Sequence, residues 1–233
     1  MIHSLFASFK EHMILLWVHL KVKLINLTDY LRVIIRYYPN RRFAKIDSAL
    51  LYSYLFVNPY RESKRYLVKK GEDEIHTYGE TPLTTLELIA GKCEIQSTDV
   101  VFELGCGRGR TCFWLHEFIG CSVIGVDYVP IFIQKGYAIK TRFHLQNVHF
   151  RLQDLIQVNF SEATVIYLYG TCLSLPYICL LIERLSRLPR GTKIITVSYS
   201  LKEFQPKAPF RIMKRFPARF TWGEAEVYYQ IKV

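Results

Sequence analysis

The chain has 233 residues, half of them hydrophobic and 15% aromatic, with a formal net charge of +11. This length and composition support one packed domain with an appendage and exclude a globally disordered chain. The cysteines (93, 106, 112, 121, 172, 179) have no zinc-ligand spacing, no metal site is read, and no run approaches the roughly 18 uncharged apolar residues of a membrane-spanning helix.

The charge is unevenly placed. Residues 1–70 hold 13 Lys and Arg against 4 Asp and Glu, whereas residues 71–233 hold 18 against 16. The N-terminal third is therefore the part suited to an acidic partner. Several cysteines lie in apolar runs, as the reduced thiols of a cytoplasmic protein do.

Residues 4–36 read as helix, because Phe6, Phe9, Met13, Trp17, Leu20, Leu24, Leu27, Leu31 and Ile34 step by three or four along one face. Thr28-Asp29 offers a cap at which a second helix can begin. A short apolar helix follows over 47–57, stopped at Asn58-Pro59, and the polar run Lys69 to Glu74 is the best boundary. The expected organisation is a basic, amphipathic helical segment over 1–70 and a catalytic domain over 71–233. Three readings compete for residues 4–45. They are a helical cover, a self-association helix, and an interfacial membrane helix backed by Arg36, Arg41, Arg42 and Lys45. The last places the protein in the cytoplasm at the periphery of a membrane. Nucleic acid is the weaker reading of the charge, since the basic residues alternate with aliphatics.

From Tyr78 onward strands and helices alternate. Strands are expected over 99–104, 122–127, 148–152, 163–169 and 192–199, and helices over 82–90, 109–119, 130–145 and 176–185. Two further strand-like runs, 210–216 and 224–233, flank Trp222-Gly223 with no helix between them. The expected fold is α/β: a doubly wound, mostly parallel seven-stranded sheet with an antiparallel C-terminal hairpin, plus the N-terminal helical extension.

The first strand, Val100 to Leu104, carries Glu103 and runs into Gly105-Cys106-Gly107-Arg108-Gly109-Arg110. Glycine at every second position permits positive φ and close approach of a ligand to the backbone. The helix N-terminus behind this turn favours a negative group. Asp127 ends the second strand, and Asp154-Leu155 follows the third. Acids at the ends of three successive strands describe a nucleoside pocket. The same kind of glycine turn serves nicotinamide cofactors. The opening acid, the third acid and the antiparallel tail favour S-adenosyl-L-methionine. In that pocket Glu103 accepts from the methionine ammonium, Asp127 from both ribose hydroxyls and Asp154 from the adenine amine, with the Leu155 amide beside the ring.

These residues resemble the seven-stranded, class I S-adenosylmethionine-dependent methyltransferases over roughly 76–233. A narrower likeness lies in Tyr78-Gly79-Glu80-Thr81, which resembles the cofactor loop of the non-SET histone lysine methyltransferases. That resemblance implies cofactor contacts at Thr81, Glu103, Gly105, Gly107, Arg110, Asp127, Asp154 and Leu155. The run Ala163 to Tyr169 is also similar to the fourth strand of the ATP-synthase c-subunit lysine methyltransferases. Two departures stand out: Arg110 replaces the glutamine of the histone enzymes, and Tyr169-Gly170-Thr171 replaces their asparagines.

Tyr78 and Tyr169 are the candidate catalytic residues, as walls of an acceptor channel, with Trp222, Tyr228 and Tyr229 as further wall candidates against a plain packing role. The Pro-Pro-aromatic motif of amide and adenine methyltransferases is absent after the fourth strand, and Cys172 reads as a packed thiol. A protein lysine N-methyltransferase acting on a protein substrate is the leading reading. A small-molecule or lipid methyltransferase held at a membrane and a non-catalytic cofactor-binding interaction protein are the alternatives. Lys202, Lys207, Arg211, Lys214, Arg215 and Arg219 either meet an acidic substrate or form a solvated face.

Overall fold

A computed structural model describes Met13, Trp17 and residues 27–71 and 78–233. Phe6, Phe9, Leu20 and Leu24 of the expected stripe, and Glu72-Asp73-Glu74 of the expected linker, lie outside the described residues. The chain divides into two compact units, Met1–Asn40 and Arg41–Val233. In the first, residues 27–37 are helical and run through Thr28-Asp29 without a break. Its buried positions are Val33 and Tyr37, one turn apart, whereas Leu27 and Leu31 of the expected stripe are exposed. Among the described residues no helix is long and apolar enough to cross a membrane.

The second unit opens with two helices, α1 (Arg41–Ser53) and α2 (Pro59–Lys70). The expected boundary after residue 70 therefore falls inside this unit. The reason is packing: α1 buries Phe43, Ile46, Asp47 and Leu50, and the Phe43 ring meets Phe118 edge-on at 5.1 Å. The expected helix over 47–57 is shifted: α1 ends at Ser53, residues 54–56 form turns, and Asn58-Pro59 starts the next helix rather than stopping this one. The Asn58 side chain accepts from the amides of Tyr60 and Arg61, and Pro59 sits where a helix has no use for its missing N–H. Gly71 closes α2 in the left-handed conformation.

The rest is the expected alternation: α3 (Leu83–Lys92), β1 (Val100–Leu104), α4 (Arg110–Trp114), β2 (Ser122–Asp127), α5 (Pro130–Arg142), β3 (Val148–Leu152), β4 (Val165–Leu168), α6 (Leu175–Leu185) and β5 (Lys193–Val197), then α7 (Leu201–Phe204), β6 (Phe210–Phe220) and β7 (Gly223–Lys232). The seven strands form one sheet in the order β3-β2-β1-β4-β5-β7-β6. β7 enters antiparallel between β5 and β6. The inner parallel strands β1, β2, β4 and β5 are buried along most of their length and are mostly apolar, whereas the edge strand β3 carries His149 and Arg151 and is partly exposed. Phe102, Leu104, Ile124, Val126, Ile166, Leu168, Ile182 and Ile194 make the core of one face.

Two local features departed from the sequence pattern. The helix after the glycine turn changes at Leu115–Ile119 into a π-turn, closed by the Gly120 amide on the Leu115 carbonyl. The short helix α7 is held by a reciprocal capping box between Ser200 and Glu203. The strand order reverses at β1, between β2 and β4, and this topology opens a crevice beyond the C-terminal ends of the strands.

Candidate active site

The glycine turn lies at that crevice. Gly105, Gly107 and Gly109 all have positive φ, at +78°, +52° and +72°, a conformation costly for residues with a Cβ. Gly109 also needs its lack of side chain for packing, since a Cβ there would come within 2.4 Å of the Phe150 ring on β3. At Gly105, by contrast, a Cβ would meet nothing within 4 Å. The backbone is bare there because it faces open space, as a ligand cradle requires.

Two clefts adjoin at this turn. The larger encloses about 710 Å³, part of it open to solvent, and its walls include Gly105, Gly107, Asp127, Tyr128, Val129 and Leu155. The smaller, about 330 Å³, is lined by Thr81, Glu103, Gly105, Arg110 and Thr111. Gly79, Gly105 and Tyr169 belong to both. They mark the junction.

Each cleft holds a buried carboxylate. Asp127 accepts from the Gly107 amide at one oxygen and from the Val129 amide at the other, both at 2.9 Å. Burial outweighs these bonds and pushes its pKa up to about 6. Glu103 accepts from the Thr111 hydroxyl and, at 3.0 Å, from the Cys112 thiol. Burial raises it to about 7. Among the described residues neither carboxylate accepts a hydrogen bond from a cationic side chain, and each retains lone pairs for a ligand.

Tyr78-Gly79-Glu80-Thr81 folds across the turn. A Cβ on Gly107 would strike the Tyr78 ring at 2.9 Å, and one on Gly79 would strike the Tyr169 ring at 2.8 Å. Both glycines thus permit an aromatic ring to come close to the backbone. The loop is fixed by Arg108, whose Nε and a terminal nitrogen donate to the two oxygens of Glu80 at 2.5 and 2.6 Å. Tyr78 donates its hydroxyl to the same carboxylate. Burial opposes the charge on Glu80, but the Arg108 guanidinium prevails and holds its pKa below the usual range. Thr81 is tied to the Tyr167 hydroxyl at 2.5 Å.

Arg110 lines the smaller cleft and is itself anchored. It donates twice, at 2.6 Å, to the carboxylate of Asp47 on α1. Asp47, Glu80 and Arg108 are the site residues that sequence reasoning missed. The unusual arginine at 110 was the one signal pointing to a buried acid elsewhere in the chain.

Tyr169 follows β4. Its hydroxyl accepts from the Trp222 indole at 2.5 Å, and its ring lies 5.5 Å from Phe220. Burial raises its pKa, opposed by the Trp222 bond. Four of the expected residues are not brought to the cleft walls, one of them Trp222, which reaches the site only through its bond to Tyr169. The Asp154 carboxylate takes the Tyr177 hydroxyl at 2.5 Å and the Ile156 amide at 3.2 Å, capping a short 3-10 turn, so Leu155 alone of that pair forms the wall. Tyr228 and Tyr229 are buried on β7, beside Arg215 and Lys214. Packing is their observed role.

Residues 95–226, more than half of the chain, match the family model described as a methyltransferase domain. The chain belongs to this methyltransferase family. Among curated proteins, this methyltransferase is 26% identical over 144 residues to the H3 lysine-79 specific histone-lysine N-methyltransferase of Dictyostelium discoideum. It is 30% identical over 83 residues to the sterol 24-C-methyltransferase of Kluyveromyces lactis. These matches cover 55% and 35% of this chain but only 8% and 22% of those proteins. The fold is similar to that of an RNA methyltransferase from Salinibacter ruber solved with S-adenosyl-L-homocysteine, with a TM-score of 0.54 and 22% identity, over 66% of this chain and 93% of that one.

Proposed function

We propose that this methyltransferase is S-adenosylmethionine-dependent and that its acceptor is a protein lysine. When bound, S-adenosylmethionine supplies an electrophilic methyl group on a sulfonium. The bare backbone at Gly105, between two clefts that each hold an unneutralised acid, fits a ligand with hydroxyls at one end and an ammonium at the other. Asp127 accepts from the ribose hydroxyls, and Leu155 lines the adenine side. Glu103 accepts from the ammonium, while Arg110 and Thr81 face the amino-acid end. Gly105 and Tyr169 flank the reacting centre at the junction.

The lysine reading rests on one observation: two aromatic rings of the larger cleft are laid against glycine backbone, Tyr169 against Gly79 at the junction and Tyr78 against Gly107. Such a wall excludes water, aligns a long unbranched nucleophile for in-line displacement and favours the uncharged amine. The likeness to the lysine-79 enzyme supports this reading. The sterol enzyme supports a second one, a lipid or small-molecule acceptor.

Incubation with methyl-labelled cofactor and cell lysate, beside Asp127→Ala, separates the two. Label recovered as methyl-lysine supports the first reading. Label confined to the lipid or small-molecule fraction overturns it.

A further inference from the structure

The α1–α2 connection has an unusual outer surface. Phe56 is 94% exposed and Leu55 63% exposed, with Tyr52 and Tyr60 also exposed on either side. A bare Phe-Leu tip in water is unfavourable unless something covers it. The tip is nevertheless well fixed. Tyr54, the residue before it, is buried, with Arg108 and Lys135 over its ring at 5.3 and 4.8 Å. Leu55 and Val57 donate their amides to the carbonyls of Tyr52 and Tyr54, and Asn58 caps the helix that follows. One residue anchors inward and the next two point out.

The charge around the tip is net positive: Arg61, Lys64 and Arg65 stand against one acid, Glu62, which is paired with Arg65 at 2.8 Å. No acidic residue occurs between Asp47 and Glu62, and Asp47 is already paired with Arg110. Arg61 and Lys64 are exposed on the first turns of α2. The same hairpin borders the catalytic cleft: Ser63 lines it, and the Tyr60 ring packs edge-on against Tyr78 at 4.9 Å.

We propose that the α1–α2 tip docks on an anionic lipid bilayer, seating Leu55 and Phe56 among the acyl chains while Arg61 and Lys64 meet lipid phosphates. Aliphatic and aromatic side chains at the apex, tyrosines at the flanks and cations behind them match the layers of a membrane interface. A second copy of this chain fits poorly, because a symmetric contact would set cations against cations. A nucleic acid would use the cations but leave the apolar apex in water. The assignment is independent of the acceptor, and it would set the cleft lined by Tyr78 and Tyr169 beside the bilayer.

The test uses the full chain with vesicles of phosphatidylcholine alone or mixed with phosphatidylglycerol. Phe56→Trp is expected to shift its emission to the blue and to be quenched by brominated lipid, on the mixed vesicles only, with the native tryptophans subtracted. The double variant Leu55→Ser/Phe56→Ser should bind these vesicles at least about tenfold more weakly, with an unchanged thermal melt and unchanged cofactor binding. Vesicle-bound protein with no shift at position 56 would overturn the proposal. So would a dimer that dissociates in the double variant, or retention on an RNA or DNA oligonucleotide with no binding to vesicles.

Discussion

Arg110 and Asp47 are joined by two hydrogen bonds of 2.6 Å across 63 residues of sequence. Asp47 is 1% exposed, so this pair couples the first helix of the unit to the turn that cradles the cofactor. Removing one partner strands the other charge in a poorly hydrated place. Asp47→Ala is therefore expected to lower stability by about 3–5 kcal/mol, read from urea denaturation midpoints. The double replacement Asp47→Leu/Arg110→Met should recover much of the loss. If Asp47→Ala alone melts like wild type, the pair carries no structural weight.

Gly109 tests the close packing behind the turn. Its φ of +72° and the 2.4 Å approach of a Cβ to Phe150 act together. Gly109→Ala should cost about 2–4 kcal/mol, combining left-handed strain with overpacking. Adding Phe150→Leu relieves only the overpacking, so partial rescue is the expected outcome. Full rescue would mean that the backbone conformation is not strained.

Glu103 makes both stability and cofactor binding depend on pH. Its pKa is raised from 4.5 to about 7. The folded state therefore holds a proton that the unfolded chain has released, and through this group stability falls as pH rises from about 4.5 to about 7. Glu103→Gln should remove that slope and be the more stable protein at pH 8. An ammonium partner favours the ionised form, so S-adenosylmethionine binding below pH 7 should release a proton. Calorimetry in two buffers of different ionisation enthalpy measures this, and the variant should show no release.

Tyr169 separates binding from transfer. Tyr169→Ala opens the junction wall while leaving Asp127 and Glu103 in place. Methyl transfer should fall by about 100-fold or more, the scale expected when a positioned nucleophile loses its alignment, with cofactor affinity changed by less than about threefold. Tyr169→Phe keeps the ring against Gly79 and loses only the bond from Trp222, which is 54% exposed. It should retain most activity. Equal losses in both variants would assign the work to the hydroxyl rather than the ring.

Local rules made much of the fold legible. Mostly apolar runs marked β1, β2 and β4, because inner parallel strands bury nearly every side chain, with polar residues admitted mainly at their ends. Alternating glycines marked the turn, because positive φ at three positions demands them. The helix at residues 27–37 was legible as a helix but not in its facing: Val33 and Tyr37 are buried while Leu27 and Leu31 are exposed. Hydrophobicity alone does not say which of two apolar faces is buried. Helix α2 was missed although Asn58-Pro59 is a good start signal, because its sequence is mostly charged and polar and buries only Ser63 and Leu67.

Glu103, the glycine turn and Asp127 were decided by the sequence itself, since each lies at the end of an apolar strand and strand ends of a parallel sheet converge. The tertiary structure decided their partners. Asp154 is turned to Tyr177, which lies 23 residues on, and Arg108 and Arg110 find Glu80 and Asp47 at separations of 28 and 63 residues. Periodicity and turn chemistry act over a few residues along the chain. An ion pair between distant segments depends on how helices settle on the sheet, and that is set by packing of the whole core.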